Sequence, residues 1–161
     1  MCEYCGCQAV PAVELLTSEH DLVVNLIGTV RRALAAGDLD GAAEGTRSIR
    51  SVLGPHTEVE EDALFPPMAD EFPDHVAALR GEHSQIERVL VDSADGTPTD
   101  PEWPSRLADV LDALRDHILK EQDGLFPAAL ASLGPAEWEA VDETRRQVGT
   151  ALASVSAATA G

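Results

Sequence analysis

The sequence predicts an all-α protein, an up-down-up-down four-helix bundle with an additional C-terminal helix. Two observations lead there. Apolar residues recur at spacings of three and four along four stretches of about twenty residues. The intervals between those stretches are short and hold the Gly, Pro and Asp that stop helices, so consecutive helices return beside one another.

The first helix is predicted from Val13 to Ala36, with Leu16, His20, Val23, Ile27, Val30 and Leu34 on one face and Gly37 as its stop. The second runs from Leu39 to Leu64 and carries Ile49, Val52, His56, Val59, Glu60 and Ala63 along one side. Gly54-Pro55 interrupts it, and the missing hydrogen bond predicts a kink one turn before His56. Pro66-Pro67 is expected to end it, with a short connection to Phe72. The third opens at Pro73-Asp74, a favourable first turn, and runs to about Asp92 with Val76, Leu79, His83, Ile86, Glu87 and Leu90 inward. Ser93 to Pro101 reads as a loop by composition. The fourth, Pro104 to Leu125, alternates Leu107, Leu111, Leu114, Ile118, Glu121 and Leu125, with His117 beside them. A last helix, Pro135 to Val155, carries Trp138, Val141, Val148 and Leu152 and is expected to pack outside the bundle or across one end.

These elements divide the chain into a cysteine-bearing N-terminal tail at 1–12, a metal-binding bundle at 13–130, and a C-terminal helix with a fraying Ala/Ser/Thr tail at 131–161. Hydrophobic residues make up 44% of the chain, enough for one packed core, and no apolar run reaches membrane-spanning length. The N-terminus has neither the basic region nor the apolar stretch of a secretory signal, so a cytoplasmic location is expected. A net charge of −18, from 29 acidic against 11 basic residues, opposes nucleic-acid binding. Three cysteines in one short segment, Cys2, Cys5 and Cys7, are too few and too clustered for a disulfide framework.

The chemistry lies in an internal repeat. His56-Thr57-Glu58-Val59-Glu60-Glu61-Asp62-Ala63-Leu64-Phe65-Pro66 and His117-Ile118-Leu119-Lys120-Glu121-Gln122-Asp123-Gly124-Leu125-Phe126-Pro127 share the pattern His-x-x-x-Glu-x-Asp-x-Leu-Phe-Pro. Each is preceded by a helix holding Glu-His, at Glu19-His20 and Glu82-His83. The chain is thus two tandem helical hairpins, each supplying one lone histidine and one His-x-x-x-Glu. Residues four apart on a helix share a face, about 5–6 Å apart at Cβ, so the His and Glu can grip one metal.

His20, His56, Glu60, His83, His117 and Glu121 fall on stripes that otherwise hold Leu, Ile and Val. A carboxylate buried there alone would take up a proton or cost several kcal/mol, and two facing each other would be worse. A pair of divalent cations between them removes the difficulty. Four separately satisfied core histidines and two surface glutamates would leave the twofold repetition unexplained. Imidazole and carboxylate donors suit iron, manganese or zinc, and without thiolates in the bundle a zinc-finger site is not supported.

The order His, His-x-x-x-Glu, His, His-x-x-x-Glu, with Leu-Phe-Pro closing each half, resembles the hemerythrin-like cation-binding family over Ser18 to Pro127. The resemblance implies a non-haem di-iron centre with an oxo or hydroxo bridge. It assigns His20 and His56 to one iron, His83 and His117 to the other, and Glu60 and Glu121 as bridges. Two departures separate the chain from the invertebrate oxygen carriers. Their His-x-x-x-His in the third helix is His83-Ser84-Gln85-Ile86-Glu87 here, and their final carboxylate, an Asp five residues after the His, is Glu121, four after His117. The pattern is closer to the bacterial members, including those linked to repair of iron centres. It implies reaction with peroxide, nitric oxide or dioxygen, against the alternatives of reversible dioxygen binding or sensing and of an iron-responsive regulator without turnover.

Other residues carry competing readings. Glu87 shares a face with His83 and is either a ligand, a support for a ligand imidazole, or a partly exposed glutamate paired with an Arg. Glu58 and Glu61 flank Glu60; one of them is a candidate to support a metal ligand, though both read mainly as a solvated face. His75 reads as a surface histidine. Phe65 and Phe126 are expected to close the bundle around the metals. Cys2, Cys5 and Cys7 are either an exposed tail, a redox switch or partner contact, or a site for zinc, copper or an iron–sulfur cluster completed across a dimer, since the segment itself lacks a fourth ligand.

Overall fold

The computed structural model describes residues 9–159, and among them every regular element is helical. Cys2, Cys5 and Cys7 lie outside the described residues. Helix α1 (Ala9–Ala35) starts one turn before the sequence expectation, because Pro11 is tolerated within a first turn. It stops where Gly37 takes φ 72 and the Asp38 N–H bonds Ala33 O at 2.9 Å, a left-handed cap. The Asp38 side chain then accepts from the Gly41 N–H at 2.9 Å and starts α2 (Leu39–Val59). α2 continues through Pro55.

The two expected ends after Leu64 and Leu125 are corrected by the structure. α2 passes through a π-helical turn, Glu60–Leu64, into α3 (Phe65–Ala69), which Pro66-Pro67 opens rather than prevents. After α4 (Pro73–Leu90) and α5 (Trp103–Lys120), the second repeat does the same: a π turn at Glu121–Leu125 leads into α6 (Phe126–Ser132). In both, the phenylalanine N–H bonds the glutamate carbonyl five residues back. The proline that follows each phenylalanine has no N–H and, in a regular α-helix, would press on the carbonyl four residues earlier. A widened turn relieves both problems, and such turns concentrate at functional sites. The last helix is also divided. α7 (Pro135–Val148) ends at Gly149, whose φ of 76 breaks the axis before α8 (Leu152–Thr159).

The apolar interior forms two clusters. One holds Val23, Ile27 and Val30 with Ile49, Val52, Ile86, Leu90, Leu111 and Leu114. The other holds Leu16, Val59, Leu64, Phe65, Leu79, Leu125, Phe126, Trp138 and Val141. On each long helix a histidine marks the changeover. His20 falls between Leu16 and Val23, His56 between Val52 and Val59, His83 between Leu79 and Ile86, and His117 between Leu114 and Leu125. A polar layer therefore divides an aliphatic core, and α7 covers one end through Trp138 and Val141.

α1 and α2 approach closely at Gly45, where an added Cβ would stand 2.7 Å from Val30 Cγ2. Val30 is β-branched and buried and has little freedom to move. Gly45→Val should lower stability by about 2 kcal/mol through overpacking, read as a reduced urea midpoint with an unchanged slope; a wild-type midpoint would refute this close contact.

Candidate metal centre

The buried polar layer gathers all six residues singled out by the repeat. Their ligand atoms form two groups, His20 with His56, Glu60 and Glu121, and His83 with His117, Glu60 and Glu121, each spanning no more than 4.8 Å. Both glutamates belong to both groups. His20 Nε2 lies 3.0 Å from Glu121 Oε2, and His56 Nε2 lies 3.1 Å from Glu60 Oε1. His117 Nε2 is 2.9 Å from Glu121 Oε1, and His83 Nε2 is 3.4 and 3.5 Å from Glu60 and Glu121. Glu60 and Glu121 are fully buried.

Proximity here is not hydrogen bonding. Both oxygens of Glu60, both of Glu121, and the Nε2 atoms of His56 and His117 have no hydrogen-bond partner despite their burial. Buried carboxylate oxygens without partners are strongly disfavoured. The atoms converge on shared points instead of on each other, as donors to a cation do. Imidazole and carboxylate also form the donor set suited to iron, manganese or zinc. The residues fit a two-metal site.

The far side of every imidazole is held, and this fixes each ring so that Nε2 faces the centre. His56 Nδ1 lies 2.7 Å from Glu19 and His117 Nδ1 2.7 Å from Glu82, so the Glu of each Glu-His pair serves the second histidine of its own hairpin. The lone histidines are held from the opposite hairpin: His83 Nδ1 by Glu61 at 2.8 Å, and His20 Nδ1 by Gln122 at 3.0 Å. Phe65 stacks on His83 and Phe126 on His20, both with ring centroids 5.5 Å apart. In a regular α-helix, residues five apart point about 140° away from each other; the π turns bring each phenylalanine round toward the face of its glutamate.

Glu19 is itself completely buried and accepts a fork from Arg145 at 2.7 and 2.8 Å and a bond from Thr150 at 2.8 Å. The C-terminal helix thus reaches the centre through Glu19 and His56. Glu61 is paired with Arg80, and Glu82 with Lys120.

Charge follows from this geometry. Burial of His56 opposes protonation, but Glu60, Glu19 and Glu121 outweigh it and raise its pKa from 6.5 to about 10. His83 is likewise raised to about 10, against its burial, by Glu121 and Glu60. Burial and the charge of Glu121 push Glu60 up, yet His56 and His83 hold it below the usual carboxylate range. Burial also raises Glu121, and His117, His20 and His83 together hold it well below that range.

The family model for the hemerythrin HHE cation-binding domain matches residues 12–129. The chain belongs to this family. A protein of Nostoc sp. (strain PCC 7120 / SAG 25.82 / UTEX 2576) named DNA nickase is similar at 28% identity over 88 residues, which cover 54% of this chain and 25% of that protein. The chain therefore spans about a quarter of that relative's length. No solved structure matches the chain. The α7 helix, with Arg145, lies beyond the span that matches the hemerythrin HHE domain.

Sequence reasoning left most of the orienting groups unassigned. Of the two glutamates that flank Glu60, Glu61 is the one that holds a ligand, His83, whereas Gln122 and Arg145 carry no role in the sequence reading. The repeat held a usable signal: a hydrogen-bonding residue follows the motif glutamate in both copies, and a glutamate precedes both lone histidines. Nothing in the sequence points to Arg145. Glu87 joins neither group, because Arg50 Nε holds its carboxylate at 2.7 Å. His75 is exposed.

Replacing Glu82 by Gln or Arg145 by Met should each weaken metal binding by about 10–100-fold, measured by competition with a chelator. Arg145→Met also leaves Glu19 buried without its cation and should cost about 3 kcal/mol of metal-free stability. Unchanged affinity in both would show that these contacts do not orient the ligands. The pH dependence has a definite sign. Raised pKa values on His56 and His83 give stability that is complete below 6.5 and is lost as pH rises toward 10. Lowered pKa values on Glu60 and Glu121 give stability present above 4.5 and lost as pH falls. The metal-free protein should be most stable between those limits, while metal affinity rises with pH because a bound imidazole must be neutral. Thermal midpoints that climb from pH 6.5 to 10 without metal would contradict this.

Proposed function

We propose that this chain is a non-haem di-iron protein that binds, and reacts with, small oxidants such as peroxide, nitric oxide or dioxygen. One observation carries the reading: two His-His-Glu-Glu groups share both glutamates, whose four buried oxygens have no hydrogen-bond partner. In this proposal His20 and His56 hold one iron, His83 and His117 the other, and Glu60 and Glu121 span the pair together with an oxo or hydroxo bridge. The supporting frame is an up-down-up-down four-helix bundle. The order in which α1, α2, α4 and α5 pass from one apolar cluster to the other, reversing at each helix, supports that topology.

Bound iron supplies the redox couple and the Lewis acidity for such reactions. The chain contributes the rest. Each group offers four protein donors, so an ion of higher coordination number has room for an exogenous ligand. Glu19, Gln122, Glu61 and Glu82 keep the four rings aimed inward. Phe65 and Phe126 stack over the lone histidines and exclude water from that side. A cavity of about 450 Å³ opens from the surface onto all four histidines and gives a small molecule its path.

No helix among the described residues is long and apolar enough to cross a membrane, and the proposed setting is the cytoplasm. The Nostoc relative's name raises DNA as a substrate. The match covers a quarter of that protein, and a charge of −18 opposes a phosphate backbone, so the proposal stays with small molecules.

Purified protein reconstituted anaerobically with ferrous iron should bind two ions per chain and, after oxidation, show the charge-transfer absorption of an oxo-bridged ferric pair. Hydrogen peroxide should then be consumed with a rate that falls at least tenfold in Glu121→Ala. A stable, reversible dioxygen complex without turnover would move the conclusion to carriage or sensing. A folded protein that takes up no metal would overturn the di-iron reading.

A further inference from the structure

The cavity above the centre is much larger than the oxidants named above require. Its volume is about 450 Å³, room for well over ten waters at ~30 Å³ each, and within the range of sites for organic ligands. Leu53, Ile86, Leu90, Leu114 and Ile118 give it an aliphatic wall. Its inner end is formed by the four imidazoles of the centre. Apart from those rings, the ionisable residues that line it, among the described residues, are Arg47, Arg50 and Glu87.

These three stand at the outer end. Arg50 is 38% and Glu87 50% exposed, whereas Leu90, Leu114 and Ile118 are buried. Arg50 presents both Nε and Nη2 to Glu87 Oε1 at 2.7 Å, and Arg47 donates one N–H to Ser93 O at 3.1 Å. The mouth therefore carries two guanidinium groups and one carboxylate, a net positive charge on a chain of net −18. An exposed ion pair contributes little stability, so an incoming carboxylate can replace Glu87 on Arg50 with only a small penalty.

We infer that this cavity is a binding site for a small amphipathic carboxylate, with its headgroup on Arg50 and Arg47 at the mouth and its alkyl body along the aliphatic wall toward the centre. Glu87 occupies the headgroup position when no ligand is bound. This rests on and deepens the proposed function, since the inner end of such a ligand lies against the metal-binding histidines, beside the place where the small oxidant binds. The binding itself uses no metal.

The test is calorimetric titration with acetate, butyrate, hexanoate and octanoate, with metal content measured on the same protein. Affinity should increase about fourfold per added methylene, the equivalent of ~0.8 kcal/mol. For octanoate, Arg50→Gln should weaken binding at least tenfold, from the loss of a charge-assisted bond. Glu87→Gln should tighten it by about two- to fivefold, as the competing ion pair disappears. Circular dichroism checks that each variant is folded, and these surface replacements remove no buried group. Octanoate binding that ignores both variants would mean the carboxylate sits on the centre instead, and would overturn the inference, as would affinity independent of chain length or no binding at millimolar octanoate. Protein that binds octanoate but no iron would uphold the inference and refute the di-iron reading. Iron-loaded protein that binds no octanoate would do the reverse.

Discussion

Two carboxylates, Glu60 and Glu121, are held together in the interior with no hydrogen-bond donor on any of their four oxygens. Folding would not tolerate this pair without positive charge nearby. His56, His83 and His117 answer that requirement in the metal-free chain, by protonation that the charge of the two glutamates favours. Cations answer it more completely, and the two states compete for the same nitrogen atoms. The polar layer is thus tied to charge rather than to packing, and the aliphatic clusters on either side of it serve to keep water out.

Holding such a layer in place requires support at a distance. Each ring is fixed on its far side, three by carboxylates and one by an amide. The carboxylates are in turn held by Arg145, Arg80 and Lys120. Of these, only Arg145 forms a fork on a completely buried partner, and it belongs to a helix outside the family-matched span. Gly149 turns the chain after α7 and places Thr150 on the same glutamate. The C-terminal extension is therefore part of how His56 is set, in addition to covering one end of the core.

The helices and the six converging residues were legible in the sequence because both depend on spacing alone. Leu16, His20, Val23 and Ile27 announce a face whatever lies opposite, and two copies of His-x-x-x-Glu announce each other. What the sequence hid depends on contacts between distant segments. Arg145 lies 126 positions from Glu19, and Gln122 lies 102 from His20. The π turns were misjudged for a different reason. Pro66-Pro67 read as a stop because a proline cannot continue a regular helix, whereas here the helix changes its winding one turn earlier and carries on. Glu87 stayed ambiguous because its face fits either a ligand or an ion pair, and only the position of Arg50 decides.

Each lone histidine takes its stacking ring and its polar support from the opposite hairpin. One hairpin by itself has an incomplete ligand set and a lone histidine without its anchor, yet two identical copies facing each other would complete both. The tandem chain amounts to such a symmetric dimer fused into one polypeptide. Fusion permits what a true homodimer forbids, independent change of the two halves, and the difference between Glu61 and Gln122 makes the paired sites chemically distinct neighbours instead of mirror images.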